Sequence, residues 1–191
     1  MVLPDGRMWL VTTDTSTTPA TSRFVKAGLS GQGTSFSGGA RRYVLDNASG
    51  APVMVVVSAA LAEKVSLSGT IVGTNVNEAY ALAYLSRYDT PAVLADFAGA
   101  WNATLGPGTV NWDIAANGAL NGTRTTGCTY TGQVSLRPES KAIVAVAIAE
   151  DCAGTVTNLA GVGALSADKG HITLFMTSAD EATAVAIRLG H

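Results

Sequence analysis

The side chains that most often perform chemistry are scarce in this chain. Two cysteines, Cys128 and Cys152, and two histidines, His171 and His191, are its whole supply of thiols and imidazoles. A Ser-His-Asp triad would need one of those histidines as its base. His171 opens an apolar run after a turn and reads as a surface residue, and His191 ends the chain, where fraying is expected. A nucleophile elbow needs G-x-S-x-G to expose its hydroxyl, and Gly28-Leu29-Ser30-Gly31-Gln32 fails at the last position. Gly31-Gln32-Gly33 and Gly161-Val162-Gly163 lack the remainder of a phosphate-cradling loop and read as turns or bulges.

Acidic pairs stand at Glu150-Asp151 and Asp180-Glu181. Neighbours on a strand point to opposite faces, so neither pair converges on a substrate. Carboxylate chemistry would need acids from distant strands, and Asp96, Asp113 and Glu150 are the candidates left open. The chain has no C-x-x-C and no paired histidines, which predicts no zinc site. The expectation is no catalytic residue, no metal and no cofactor.

The cysteines admit two readings. Each stands beside a glycine-containing turn, in Gly127-Cys128-Thr129-Tyr130 and Asp151-Cys152-Ala153-Gly154, with about two strand lengths of chain between them. Adjacent antiparallel strands could bring them within bridging reach. Two unrelated buried thiols in a reducing compartment is the other reading.

The elements that must position these residues are strands. Short apolar runs recur between Gly, Asn and Asp turns, as in an antiparallel meander. In the first half they are Met8–Thr13, Ser22–Ala27, Arg41–Leu45, Val53–Leu61, Val65–Val72 and Ala79–Leu85. One short helix is predicted over Pro91–Ala98, capped by Asp89 or Thr90 and left at Gly99. Eight strands then follow: Trp101–Leu105, Thr109–Ala115, Leu120–Thr125, Thr129–Leu136, Ala142–Ala149, Ala160–Leu165, His171–Thr177 and Thr183–Leu189. The fold class is therefore all-β: an N-terminal antiparallel sheet over residues 1–87 and a small eight-stranded C-terminal barrel over 88–191, joined by the helix. Leu67-Ser68-Gly69-Thr70 is faintly echoed by Leu120-Asn121-Gly122-Thr123.

Composition narrows the partners. Charged residues make up 14% and the net charge is −2. Phosphate binding needs clustered cations, and the single adjacent basic pair, Arg41-Arg42, reads as a solvated strand face, so nucleic acid is not expected. The apolar run Ala51–Ala62 is too short for the ~20 residues of a spanning helix and reads as a buried strand. An integral outer-membrane barrel would need aromatic girdles, whereas aromatics are 6% and the last residues, Ile187 to His191, include no terminal aromatic of the Phe, Tyr or Trp kind. Asn47, Asn102 and Asn121 form N-x-[ST] sequons, which matter in a eukaryotic secretory route. Met1–Gly6 has neither a basic n-region nor a signal core, and the sequence leaves open a cytosolic start or a start after a removed export signal.

Four segments carry a resemblance: Val2-Leu3-Pro4-Asp5-Gly6-Arg7-Met8-Trp9-Leu10, Lys64-Val65-Ser66-Leu67-Ser68-Gly69-Thr70, Tyr88-Asp89-Thr90-Pro91 and Gly127-Cys128-Thr129-Tyr130-Thr131-Gly132. In this order they resemble a family of small proteobacterial envelope lipoproteins and secreted β-barrel proteins. The resemblance implies export, a lipid anchor in many members and a Cys128–Cys152 disulfide, and supplies no catalytic residue. Such proteins usually carry an export signal, a lipid-attachment cysteine and a further glycine-rich hairpin before the Leu-Pro-Asp-Gly-Arg segment, and none of these precedes that segment in the sequence given. At fold level alone, the layout is similar to the barrel-plus-sheet lobes of host-protein-binding surface lipoproteins.

Two functions follow as expectations. One is a non-enzymatic binding or structural module of the bacterial envelope or a secreted one, acting through an envelope or host protein. Its recognition loops would be Thr15, Thr17 and Thr18 in the Thr-rich segment and Ser35, Phe36 and Ser37 in the glycine-rich one. The other is a small-ligand carrier or enzyme using the barrel interior. A barrel filled with Val, Ile and Leu favours the first, and a polar-lined cavity the second.

Overall fold

Residues 1–15, 18, 21–45 and 51–191 are described by the computed structural model. Thr17 and the Asn47 sequon lie outside them. The chain divides between Ser86 and Arg87 into two units, each built almost wholly of antiparallel strands. No helix among the described residues is long and apolar enough to cross a membrane.

The first unit is an open sheet. Its strands are β1 (Arg7–Asp14), β2 (Thr21–Gly28), β3 (Ser30–Gln32), β4 (Ser35–Val44), β5 (Val53–Ala62), β6 (Ser66–Gly73) and β7 (Val76–Ala83). They pair in the order β1-β2-β4-β5-β6-β7, with β3 beside β4. Alternation makes one face the core: Met8, Leu10, Val25, Ala40, Val57 and Ile71 are buried together. The apolar run on β5 is buried on that face alone, because Val55 and Val57 turn in while Met54 and Val56 stay 61% and 57% exposed. A continuous apolar run therefore hides a half-exposed strand.

The glycine-rich segment is strand rather than loop. β3 and the start of β4 form a hairpin through Gly33-Thr34, and Ser35, Phe36 and Ser37 also pair with Ala60, Ala59 and Ser58 of β5. Gly38 shows why glycine is needed: a Cβ there would lie 1.8 Å from the Gly28 carbonyl oxygen. The missing side chain permits this close passage where β4 changes partner from β3 to β2.

The second unit begins with two short 3-10 turns, Ser86–Asp89 and Leu94–Phe97. The helix expected over Pro91–Ala98 is reduced to the latter, and Val93 before it is extended with no side-chain cap. Longer-range bonds take the backbone groups a helix would use. Ala92 N–H donates to the Lys141 carbonyl, and the Tyr88 carbonyl accepts from Ala142 N–H, both at 3.0 Å.

Eight strands follow: β8 (Gly99–Leu105), β9 (Gly108–Ile114), β10 (Ala119–Arg124), β11 (Cys128–Leu136), β12 (Val144–Cys152), β13 (Thr155–Leu165), β14 (His171–Ser178) and β15 (Ala184–Gly190). They close into an antiparallel barrel, as the sequence pattern predicts. Closure is uneven, since β15 meets β8 through the single partner pair Gly190–Asn102. Trp101, Leu120, Ile172, Met176 and Leu189 lie in the interior, each essentially inaccessible to solvent. Glycines face large residues across the ladders, Gly122 opposite Trp112 and Gly161 opposite Met176, so the interior fills without clash. Outward positions of β8 to β11 include Asn102, Thr104, Asn111, Asp113, Asn121, Thr123, Thr129 and Thr131.

The echoed Leu-x-Gly-Thr segments play one structural part twice. Gly69 pairs with Tyr80 on the next strand, and Gly122 pairs with Tyr130 on the next strand. In both places the tyrosine belongs to the buried face and its hydroxyl donates onward, from Tyr80 to the Ser58 carbonyl and from Tyr130 to Glu150.

Candidate functional site

Cys128 and Cys152 are disulfide-bonded. They are paired residues at the far end of the β11–β12 ladder from its connecting loop, with Cα atoms 4.3 Å apart. That register places Tyr130 opposite Glu150, two steps along. Sequence reading missed this pair, and the cysteine pairing is the signal that could have located it.

Tyr130 is buried and donates to Glu150 Oε1 at 2.6 Å. Burial pushes its phenol well above the usual tyrosine range, and the Glu150 hydrogen bond and charge push it the same way, against a smaller opposing effect of Arg124. Arg124 Nη2 donates to the Leu105 carbonyl at 2.9 Å. The Trp112 ring meets Tyr130 edge-on at 5.5 Å. Cys128, Glu150 and Cys152 bring ligand-type atoms within 4.8 Å of one another. Both sulfurs are spent on the disulfide, however, so the trio offers a cation only one carboxylate.

The other acids stay apart. Asp151 accepts from Gly154 N–H in a turn, while its neighbour Glu150 faces Tyr130, so the two diverge as strand geometry requires. Asp180 accepts from Ser178 Oγ and Ala182 N–H. Asp96 pairs with Lys169 at 2.8 Å, and Asp113 is exposed on the barrel exterior. The three acids left open from sequence thus form no common site. His171 is half-buried rather than a free surface residue. The His191 ring centroid lies 3.9 Å from that of Trp101, and its backbone N–H donates to the Gly170 carbonyl. No hydroxyl is hydrogen-bonded to either imidazole among the described residues.

Of the expected recognition residues, Thr15 and Thr18 are exposed beyond the end of β1. Ser35 and Ser37 point outward from β4, whereas Phe36 turns toward the core of the first unit. The two serines join a wider outward face. Along β5 it presents Met54, Val56, Ser58, Ala60 and Ala62, along β6 Ser66, Ser68, Thr70 and Val72, and along β7 Asn77, Ala79, Ala81 and Ala83. None of these is charged. Val56 pairs with Val72, and the Ser58 and Thr70 hydroxyls meet at 2.8 Å. Arg41 and Arg42, read as a solvated pair, separate: Arg42 turns inward to an ion pair with Glu78 at 2.5 Å.

The second unit also has a groove of about 260 Å³. Pro91, Ala92, Val93 and Phe97 form its apolar part, Ala142 and Leu165 continue it, and Arg87, Asp96 and Lys169 stand among its lining residues. Nothing in local sequence announces it, since its walls come from three separate segments, residues 87–97, 142 and 165–169.

Together these features define an all-β protein with an open sheet, a filled eight-stranded barrel and no assembled catalytic constellation among the described residues. No protein-family model matches the chain, and neither the curated proteins nor the solved structures give a match to it.

Proposed function

We propose that this chain is a non-enzymatic binding or structural module of the bacterial envelope, or a secreted one, acting through a protein partner. The packed barrel interior carries this reading. Trp101, Leu120, Met176 and Leu189 occupy the space a lipocalin-like ligand would need, each with under 2% of its surface exposed. A carrier or an enzyme built on the barrel lumen would require that space to be open.

The outward face of β5–β7 supports the same reading. It is uncharged and carries Met54, Val56 and Val72 in the open, as an interface core does. The envelope setting follows the resemblance to proteobacterial envelope lipoproteins, and the disulfide agrees with an oxidising compartment.

The test is capture by the immobilised protein from envelope extract and from host serum, with mass-spectrometric identification and rebinding of the purified candidate. One protein rebinding at fixed stoichiometry is expected, with binding lost in Val56→Lys at unchanged melting temperature. Retention of no protein, together with a small molecule released at one equivalent on denaturation, would overturn the proposal.

A further inference from the structure

We propose that the groove beside the 3-10 turns of the second unit receives an apolar side chain flanked by a carboxylate, and that Arg87 is the counter-charge for that carboxylate. The inference rests on the partner-binding reading and names the chemistry of one contact.

Size favours a single side chain over a whole small-molecule ligand. At about 260 Å³ the groove falls below the roughly 300–1,000 Å³ of typical ligand pockets. That space suits one anchoring side chain of a larger partner, as interface anchors use. The apolar surface is already uncovered, since Val93 is 55% exposed despite its place in the lining.

The walls are built in advance. Ala92 and Ala142 are tied to the Lys141 and Tyr88 carbonyls, which fixes Pro91–Val93 against the β11–β12 connection. Lys141 Nζ reaches Asp89 at 2.6 Å, and Lys169 reaches Asp96 at 2.8 Å across the groove. The Phe97 carbonyl accepts from Trp101 Nε1–H at 2.9 Å. A preformed groove loses little conformational entropy when filled.

Charge selects the occupant. Asp96 and Lys169 satisfy each other. Arg87, half-buried in the lining, has no carboxylate within ion-pair distance among the described residues. A guanidinium beside an apolar floor favours a ligand whose carboxylate can take a charge-assisted, two-pronged contact while its apolar group leaves water. The partner segment is therefore a leucine- or phenylalanine-type residue next to an aspartate, a glutamate or a C-terminal carboxylate.

The experiment titrates the ¹⁵N-labelled full chain with N-acetyl-Leu-Asp-amide and its neutral analogue N-acetyl-Leu-Asn-amide. Saturable amide shifts are expected at Thr90, Ala92, Val93, Ser166 and Ala167, with the neutral peptide about tenfold weaker, as loss of one charge-assisted contact implies. Arg87→Gln should abolish the difference between the two peptides while the groove shifts persist. Equal affinities in the wild-type chain, shifts scattered over the surface or no shifts at all would overturn the inference. A captured partner retained equally by Arg87→Gln would also overturn it, leaving the partner-binding reading intact. Capture of no partner would remove that reading, and the peptide titration would still judge the groove.

Discussion

Arg42 on β4 and Glu78 on β7 meet at 2.5 Å although β5 and β6 lie between their strands. In a flat sheet three strand spacings would hold the two backbones roughly 14 Å apart. The contact therefore depends on the sheet curling around its own core. Arg23 of β2 lies 4.0 Å from the same Glu78 oxygen, so two guanidinium groups share one carboxylate. β7 is also an edge strand, and an inward-turned charge on an edge discourages another strand from adding there.

Glu78→Gln should therefore cost more than Arg42→Gln. The first change leaves two cations facing a neutral amide, and the second leaves the carboxylate with Arg23 nearby. Discounting for partial exposure, the Glu78 change should lower stability by roughly 2 kcal/mol. Urea unfolding followed by Trp fluorescence checks this, and equal losses for the two variants would contradict it.

Intact mass without reductant should fall short of the reduced chain by two hydrogen atoms. Replacing both cysteines by alanine should cost up to about 3.5 kcal/mol, the chain-entropy value for a loop of this size, because the bridge spans 24 residues. Chemical denaturation of the double variant measures the loss. Two freely alkylated thiols in periplasmically expressed protein would contradict the bridge.

Two glycine substitutions should behave oppositely. A Cβ on Gly161 would lie 1.8 Å from the Phe175 carbonyl oxygen, so the backbone itself must shift. Gly39 has nothing within 4 Å of that position. Gly161→Ala should destabilise by about 3 kcal/mol or more, and Gly39→Ala should stay within about 0.5 kcal/mol. Melting temperatures of the two variants decide the matter.

Tyr130 makes the barrel sensitive to alkali. Its folded-state pKa is raised, so its contribution to stability is complete below the unfolded tyrosine value of about 10 and is lost as pH rises beyond it. Thermal unfolding between pH 8 and 11 should show stability falling over the upper part of this range, and Tyr130→Phe should flatten that fall. An unchanged pH profile in the variant would contradict the assignment.

Alternation made most strands legible. β9 is the clearest, with Val110, Trp112 and Ile114 buried and Asn111 and Asp113 exposed between them. Gly31–Gly39 was opaque because glycine signals both loop and close strand passage, and only a neighbouring backbone distinguishes them. The Pro91 segment carried good helix-start signals, yet bonds to Lys141 and Ala142, some fifty residues away, decided its conformation. The Arg42–Glu78 pair had no local signature for a related reason: its partners are 36 residues apart and meet only through curvature. The groove likewise needed the closed barrel before its walls could be brought together.

The barrel's narrow seam has a dynamic consequence. Seven ladders of several residue pairs each hold the cylinder, while β15 and β8 share the Gly190–Asn102 pair, reinforced by the His191 ring on Trp101. Free energies of local opening track how much structure must be released at once. Amide protons of β8 and β15 that face the seam should thus exchange before those of β12, which is zipped along nine pairs to each neighbour. Mechanically the barrel is a ring with one thin weld, and its breathing should begin there.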